Sequence, residues 1–291
     1  MSTPPTIIIG MHRSGTSLLA RLLEQNGCYM GYQQLAGLTE SSLMYDINKK
    51  LLEMADSSWS CPENWLNLQS KLQDVLGLYI PEFLTDYWEQ YVSKHNPQRS
   101  VLPSHTECSI PWGWKDPVNS LTYRQWYKIF PKAKFIHIYR HPVDVVNSLF
   151  IRESKETQKF INFIQKNGIK PVYDKEIFKC ITSRCLHLDS AISLWIAYVQ
   201  SCLAIDNIVP AEQIFHVKYE DLLDNPQDTL TKVIHFVGCI LDPENIQNSI
   251  AGINKERKYA FSQTPELVAL YKTIQNDPLL QKLGYSNISY T

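Results

Sequence analysis

The chain has 291 residues, 44% hydrophobic and 20% charged, which is enough apolar material for a packed core and excludes a disordered chain. Its 28 Lys and Arg against 29 Asp and Glu leave a formal net charge of −1, so any basic site must be local and a general nucleic-acid or membrane-surface binder is excluded. Seven cysteines (28, 61, 108, 180, 185, 202 and 239) form an odd set without a Cys-x-x-Cys pair, the pattern of reduced thiols rather than of a disulfide framework or zinc site.

Met1 to Pro5 lead into the first strand without a charged, apolar leader, and no apolar run reads as a membrane span. The expectation is a soluble, cytoplasmic protein. The β-branched run Ile7 to Ile9 predicts a fully buried strand. A polar turn with Gly10 and Gly15 follows, and Leu18, Leu19, Leu22 and Leu23 then recur at helical spacing. Ile47, Leu51, Leu52 and Met54 predict a helix within 38–56, entered from a polar loop that carries Glu40. From Trp65 to His95 the spacing is helical again, broken by Pro81, and its many aromatics read mainly as core. Residues 99–117 have strand character. A helix over Ser120 to Phe130 leads to the clearest strand, 133–139, and Pro142 opens the next helix at its first turn. Residues 152–185 are charged and irregular, as an insertion or lid would be. A helix from Leu186 to Asp206, a strand from Gln213 to Tyr219 and a helix from Asn225-Pro226 to Gly238 complete the alternation. Alternating strands and helices predict an α/β fold, a central parallel sheet covered by helices on both faces. No linker or repeat divides the chain, so 1–291 reads as one domain with helical additions near 38–98 and 150–185.

Strand, glycine turn and helix together make an anion cradle, because backbone N–H groups and the helix dipole converge at the turn. The spacing Gly10-x-x-x-x-Gly15-Thr16-Ser17 is P-loop-like, but Thr16 stands where nucleotide triphosphatases carry lysine, and the loop's cation is Arg13. The group held is then phosphate-like without being the γ-phosphate of ATP or GTP. Arg140 and Ser148, eight residues apart across a strand-to-helix junction, can pinch one phosphate between a guanidinium and a hydroxyl. Lys115, ending a strand at the ligand edge of a parallel sheet, can supply charge to a group in transfer.

His12-Arg13-Ser14-Gly15-Thr16-Ser17 resembles the 5′-phosphosulfate loop of sulfotransferases that use 3′-phosphoadenosine 5′-phosphosulfate (PAPS). Phe135 to Asp144, continued to Ser148, resembles the segment in which that family holds the 3′-phosphate. Val217-Lys218-Tyr219-Glu220-Asp221-Leu222, followed by Asn225-Pro226, is similar to its Tyr-Glu-Asp-Leu segment, whose tyrosine contacts adenine. Lys115-Asp116-Pro117 resembles a segment of the protein-tyrosine sulfotransferases and related enzymes, where the lysine assists transfer. The resemblance covers four stretches, near 6–24, 112–117, 133–149 and 214–239, in the family's order.

The resemblance implies in-line, metal-independent transfer of a sulfuryl group from PAPS to a hydroxyl, or an amine, with PAP as product. It places Arg13, Ser14, Gly15, Thr16, Ser17, Arg140, Ser148 and Tyr219 on the co-substrate. Lys258 joins them from the basic run Asn254 to Lys258, which some members close over the 3′-phosphate. Arg13 and Lys115 would stabilise charge on the sulfuryl group, and Glu40 would take the acceptor proton, with His105 and then Asp46 as rivals. The acceptor would be a small molecule, a glycan or a lipid, bound against the helical additions. A nucleotide kinase or NTPase is the first alternative, opposed by the missing loop lysine. A non-catalytic protein that binds PAP or another nucleotide is the second, and it would need neither Lys115 nor a base.

Overall fold

The computed structural model describes residues 3–31, 41–82, 84, 110–168 and 182–289. Its centre is β1 (Thr6–Ile9), whose four residues are all buried, the signature of a strand covered on both faces of a parallel sheet. β1 pairs in parallel with β2 (Gly113–Lys115) on one side and with β3 (Lys134–Tyr139) on the other; β4 (Ile214–Lys218) extends the sheet beyond β3. The order β2-β1-β3-β4 means the chain reverses its direction of winding at β1. In open parallel sheets ligands bind beyond the strand carboxyl ends at such a switch point. The expected α/β class, a parallel sheet flanked by helices, is what the chain forms.

Two compact units are present: Met1–Tyr139 with Tyr198–Lys255, and Arg140–Ala197 with Glu256–Thr291. In the first, α1 (Thr16–Gln25) buries Leu19, Ala20, Leu22 and Leu23 against Ile8, Ile136, Ile138 and the inner face of α9 (Pro226–Val237). α2 (Ser42–Glu53) buries Ile47, Leu51 and Leu52 as expected, whereas Met54, expected on the same face, is the exposed C-cap residue. α3 (Glu63–Asn67) and α4 (Ser70–Gly77) come next. The helical break falls at Leu78 and not at Pro81, which lies inside the next helical turn, 79–82. Proline in a first turn has no intrahelical N–H to lose and is tolerated there. Of the strand character expected over 99–117, the described residues contain β2 and one isolated bridge, Tyr29 to Trp112. α5 (Asn119–Ile129) then returns the chain to β3.

In the second unit α6 (Pro142–Asn167) is a single helix of 26 residues. The irregular stretch expected from 152 is therefore helical as far as Asn167, and its charged residues other than Glu153 are partly or fully exposed, as on the polar side of a long amphipathic helix. Glu153, fully buried, ties it to the following turn by accepting from Arg152 Nε and Thr182 N–H. His141 stacks flat on Phe261, with ring centroids 4.4 Å apart, inside a shell completed by Tyr259, Tyr271 and Tyr285.

α7 (Leu188–Leu203) corrects one expectation. With its terminal turn, Leu188–Asn207 is long and apolar enough to cross a membrane by length and composition. Ala191, Leu194, Trp195, Tyr198 and Cys202 on it are fully buried, which is also what a core helix does.

Candidate active site

All strands of the sheet run parallel, so their carboxyl ends share one edge. β1 passes there into the loop 10–15. Gly10 N–H donates to Ser120 Oγ at 2.8 Å, which fixes where the loop begins. Arg13 has φ 70 and Gly15 φ 101, while Ser14 between them turns inward. A non-glycine residue held at positive φ stores about 1–3 kcal/mol and marks a place where function can require the geometry. At Gly15 a side chain is excluded twice over: by the backbone, and by Tyr219, whose Cδ2 would lie 2.4 Å from an added Cβ. The turn therefore presents bare backbone at the start of α1. Gly15, at the N-cap of α1, has no side chain to cap the first turn, and a helix start is where backbone N–H groups can receive an anion.

The loop residues divide by exposure. The side chains of Arg13 and Ser17 are exposed, whereas Ser14 and Thr16 are buried. Ser14 Oγ donates to Met11 O at 2.6 Å and lies 3.3 Å from Ile138 O, a structural use of that hydroxyl. Tyr219 starts α8 (Tyr219–Asp224) directly after β4, where a strand end was expected, and its ring covers Gly15.

Lys115 ends β2 opposite Ile8 and is almost wholly buried. The strand end is held by an amide network. Asn48 Nδ2, from α2, donates to Asp116 Oδ2 at 2.7 Å and to Asn119 Oδ1 at 2.8 Å. Asn48 Oδ1 accepts from Thr122 Oγ1 at 2.7 Å and from Trp126 Nε1 at 2.9 Å. Asn119 Nδ2 reaches Ile8 O on β1, and Asp116 Oδ1 caps the N–H of Val118. Each of the polar residues Asn48, Asp116, Asn119 and Thr122 is buried, so their mutual bonding is what allows them there.

His12, to which the sequence reading assigned no role of its own, packs at 4.5 Å between centroids on Trp59 and at 6.4 Å on Tyr198; Tyr198 OH in turn donates to Trp59 O at 2.8 Å. His12 stands next to Arg13 in the motif, but nothing local foretells its aromatic neighbours.

In the second unit Arg140 is buried, with Nη2 donating to Arg257 O at 2.7 Å and lying 3.3 Å from Asp144 Oδ2. Asp144 also accepts the Phe261 N–H at 2.9 Å. Burial raises the Asp144 carboxyl above its ordinary value, with the Arg140 guanidinium and the Phe261 and Ala260 N–H groups offsetting only part of that rise. Asp144, to which the sequence reading assigned no role, is the residue against which the Arg140 guanidinium rests. Its signal was the i,i+4 spacing from Arg140 at a helix start. Ser148, half-buried, is one turn further along α6 on the same face. The bond to Arg257 O brings the basic run beside Arg140, and Lys258 Nζ lies 5.3 Å from the centroid of the Tyr259 ring. Glu40 and His105 lie outside the described residues. Asp46 is on α2, half-buried.

These features define an α/β protein with a glycine turn and a helix start at the carboxyl edge of a parallel sheet, a geometry that suits an anion. The sequence profile of the sulfotransferase family matches residues 4–243, and the chain belongs to that family. The sulfotransferase domain from the curacin biosynthetic pathway shares the fold, at 18% identity and a TM-score of 0.50 over 98% of this chain and 99% of that one. Two further solved structures are the sulfotransferase domain of the Synechococcus PCC 7002 olefin synthase (17%, TM-score 0.49, 99% and 96% covered) and mouse sulfotransferase SULT7A1 complexed with PAP (13%, 0.48, 99% and 90%). No sequence among curated proteins matches the chain.

Proposed function

We propose that this sulfotransferase takes its sulfuryl group from PAPS and passes it to a hydroxyl, or an amine, of a small-molecule, glycan or lipid acceptor. The observation that carries the reading is the bare turn at Gly15, with Arg13 at positive φ before it and the Tyr219 ring against it. That arrangement suits a 5′-phosphosulfate on backbone N–H groups with an aromatic ring at hand for adenine. Arg140, held by Asp144, supplies a guanidinium for the 3′-phosphate, with Ser148 and Lys258 as further donors. PAPS brings an activated sulfur–oxygen bond; the acceptor oxygen attacks sulfur in line, the bond to the bridging oxygen breaks, and PAP leaves. Arg13 and Lys115 stabilise charge that grows on the sulfuryl and bridging oxygens. Glu40 takes the acceptor proton, with His105 and Asp46 as rivals.

Titration calorimetry with PAP and ADP tests the reading. Wild type should bind PAP much more tightly than ADP, and Arg140→Ala should erase most of that preference, at about 1.5–3 kcal/mol per hydrogen bond to charge. Equal affinity for both nucleotides in both proteins rejects PAPS as donor. Magnesium-dependent ATP turnover by pure protein would instead favour the kinase or NTPase alternative. Within the reaction, Lys115→Ala should lower kcat while PAP binding barely changes. Glu40→Gln should lower kcat by about 10²–10⁴-fold; near-normal kcat there, beside a folded and inactive His105→Ala, moves the base to His105.

A further inference from the structure

Two helices of the first unit end in the same way. α1 closes through Gly27 (φ 89) into Cys28, and α9 through Gly238 (φ 90) into Cys239. Gly27 N–H bonds Glu24 O and Cys28 N–H bonds Leu23 O; Gly238 N–H bonds His235 O and Cys239 N–H bonds Ile234 O. This paired closure folds the residue after the glycine back onto the apolar side of its own helix. Both cysteines are thereby delivered to one core, formed by Leu19, Leu22 and Leu23 of α1 and Leu230, Val233 and Ile234 of α9. Cys28 is buried there, and Cys239 packs against the same core while remaining partly exposed.

The two thiols hydrogen-bond each other, and Cys28 Sγ also lies 3.7 Å from Met30 Sδ. Lys134 Nζ donates to Phe236 O at 2.7 Å and Val237 O at 3.1 Å, so its ammonium caps the last turn of α9 beside Cys239. The Cys28 hydrogen bond lowers the Cys239 thiol, burial opposes this, and the Lys134 charge lowers it further. Cys202 shows the opposite situation: enclosed in the core, its thiol is pushed up to about 12 by burial. Nothing in sulfuryl transfer calls for a paired, cation-flanked dithiol on the far end of the loop helix.

We propose that Cys28 and Cys239 form a reversible oxidation site for hydroperoxides. The Cys239 thiolate attacks the peroxide O–O bond, taking one oxygen as sulfenic acid and releasing water or an alcohol once the leaving oxygen is protonated. The Cys28 sulfur then attacks Cys239 Sγ and its proton leaves with the sulfenic hydroxyl as a second water, giving a disulfide. Two thiols are oxidised and one peroxide is reduced. The cross-link ties the end of the anion-loop helix to the end of α9, and a dithiol or glutathione undoes it by exchange.

Purified full-length protein treated with equimolar hydrogen peroxide, blocked with iodoacetamide and digested without reduction tests this by peptide mass spectrometry. A Cys28–Cys239 linked peptide that disappears after dithiothreitol is expected. Cys28→Ser should trap Cys239 as a dimedone-reactive sulfenic acid, and Lys134→Gln, which keeps a donor for the carbonyls, should slow cross-linking at least about threefold. The proposal is overturned if folded wild type gives no linked peptide while exposed Cys61 is oxidised, or if Cys239 reacts no faster than Cys61. An unchanged rate in a folded Lys134→Gln removes the activating role assigned to that lysine.

Discussion

Gly15 is where one atom decides the most. Gly15→Ala asks for a left-handed backbone, costing about 1–2 kcal/mol, and drives Cβ into the Tyr219 ring. The variant should lose PAP binding in calorimetry, whereas Gly252→Ala, with nothing within 4 Å of the added Cβ, should leave it unchanged. Normal PAP affinity in Gly15→Ala would show that the bare turn is not the phosphosulfate seat. Ser14 is held differently. It sits in the middle of the motif, and its hydroxyl donates to Met11 O, which braces the turn from within.

Among the elements, β2 and its junction with α5 depend on a side chain from α2. Asn48→Leu matches size but removes the bonds that Asp116, Asn119, Thr122 and Trp126 make to the Asn48 amide. Loss of a buried network should cost about 2–4 kcal/mol in denaturant unfolding and, by loosening the end of β2, lower kcat along with it. A kcat unchanged at full saturation would separate the network from Lys115. The β3–β4 pair carries a different charge effect. His137 is fully buried, with Nδ1 3.0 Å from His216 Nδ1, while His216 Nε2 is 3.0 Å from Asp206 Oδ1. Burial first, and then His216, lower His137 to about 3. The folded protein thus refuses a proton that the unfolded chain accepts near pH 6.5. The contribution is intact above about pH 6.5 and is lost as pH falls from there toward 3, at up to about 1.4 kcal/mol per pH unit. Urea melts at pH 7, 6 and 5 should show this slope in wild type and a shallower one in His137→Gln.

For the molecule as a whole, ligand linkage gives the most direct readout. A ligand that binds only the folded state at 100 times its Kd adds about 2.7 kcal/mol of stability. PAP should therefore raise Tm in wild type, ADP should raise it much less at equal concentration, and Arg140→Ala should lose most of the PAP response. An identical shift with both nucleotides would mean that the 3′-phosphate is not read.

The strand–turn–helix at 6–25, the β3 strand with Arg140 after it and the β4 strand before Tyr219 were legible from sequence, because each rests on local periodicity, glycine placement and short motifs. So was the parallel α/β class, which follows from strands alternating with helices. The continuity of α6 through its charged half was not, since solvated charges on a long helix look like an irregular insertion until the buried Val143, Val146 and Leu149 face is seen. Nor was the position of the break near Pro81, because a proline reads as a breaker or as a first-turn residue according to where the preceding helix stops. Contacts between distant segments belong to the tertiary structure alone: Tyr219 closing Gly15, Asn48 holding Asp116 and Asn119, and two Gly-Cys helix ends meeting in one core. Local sequence carries the propensities that shape each element, whereas the partner of a buried amide, ring or thiol is chosen only when the elements pack.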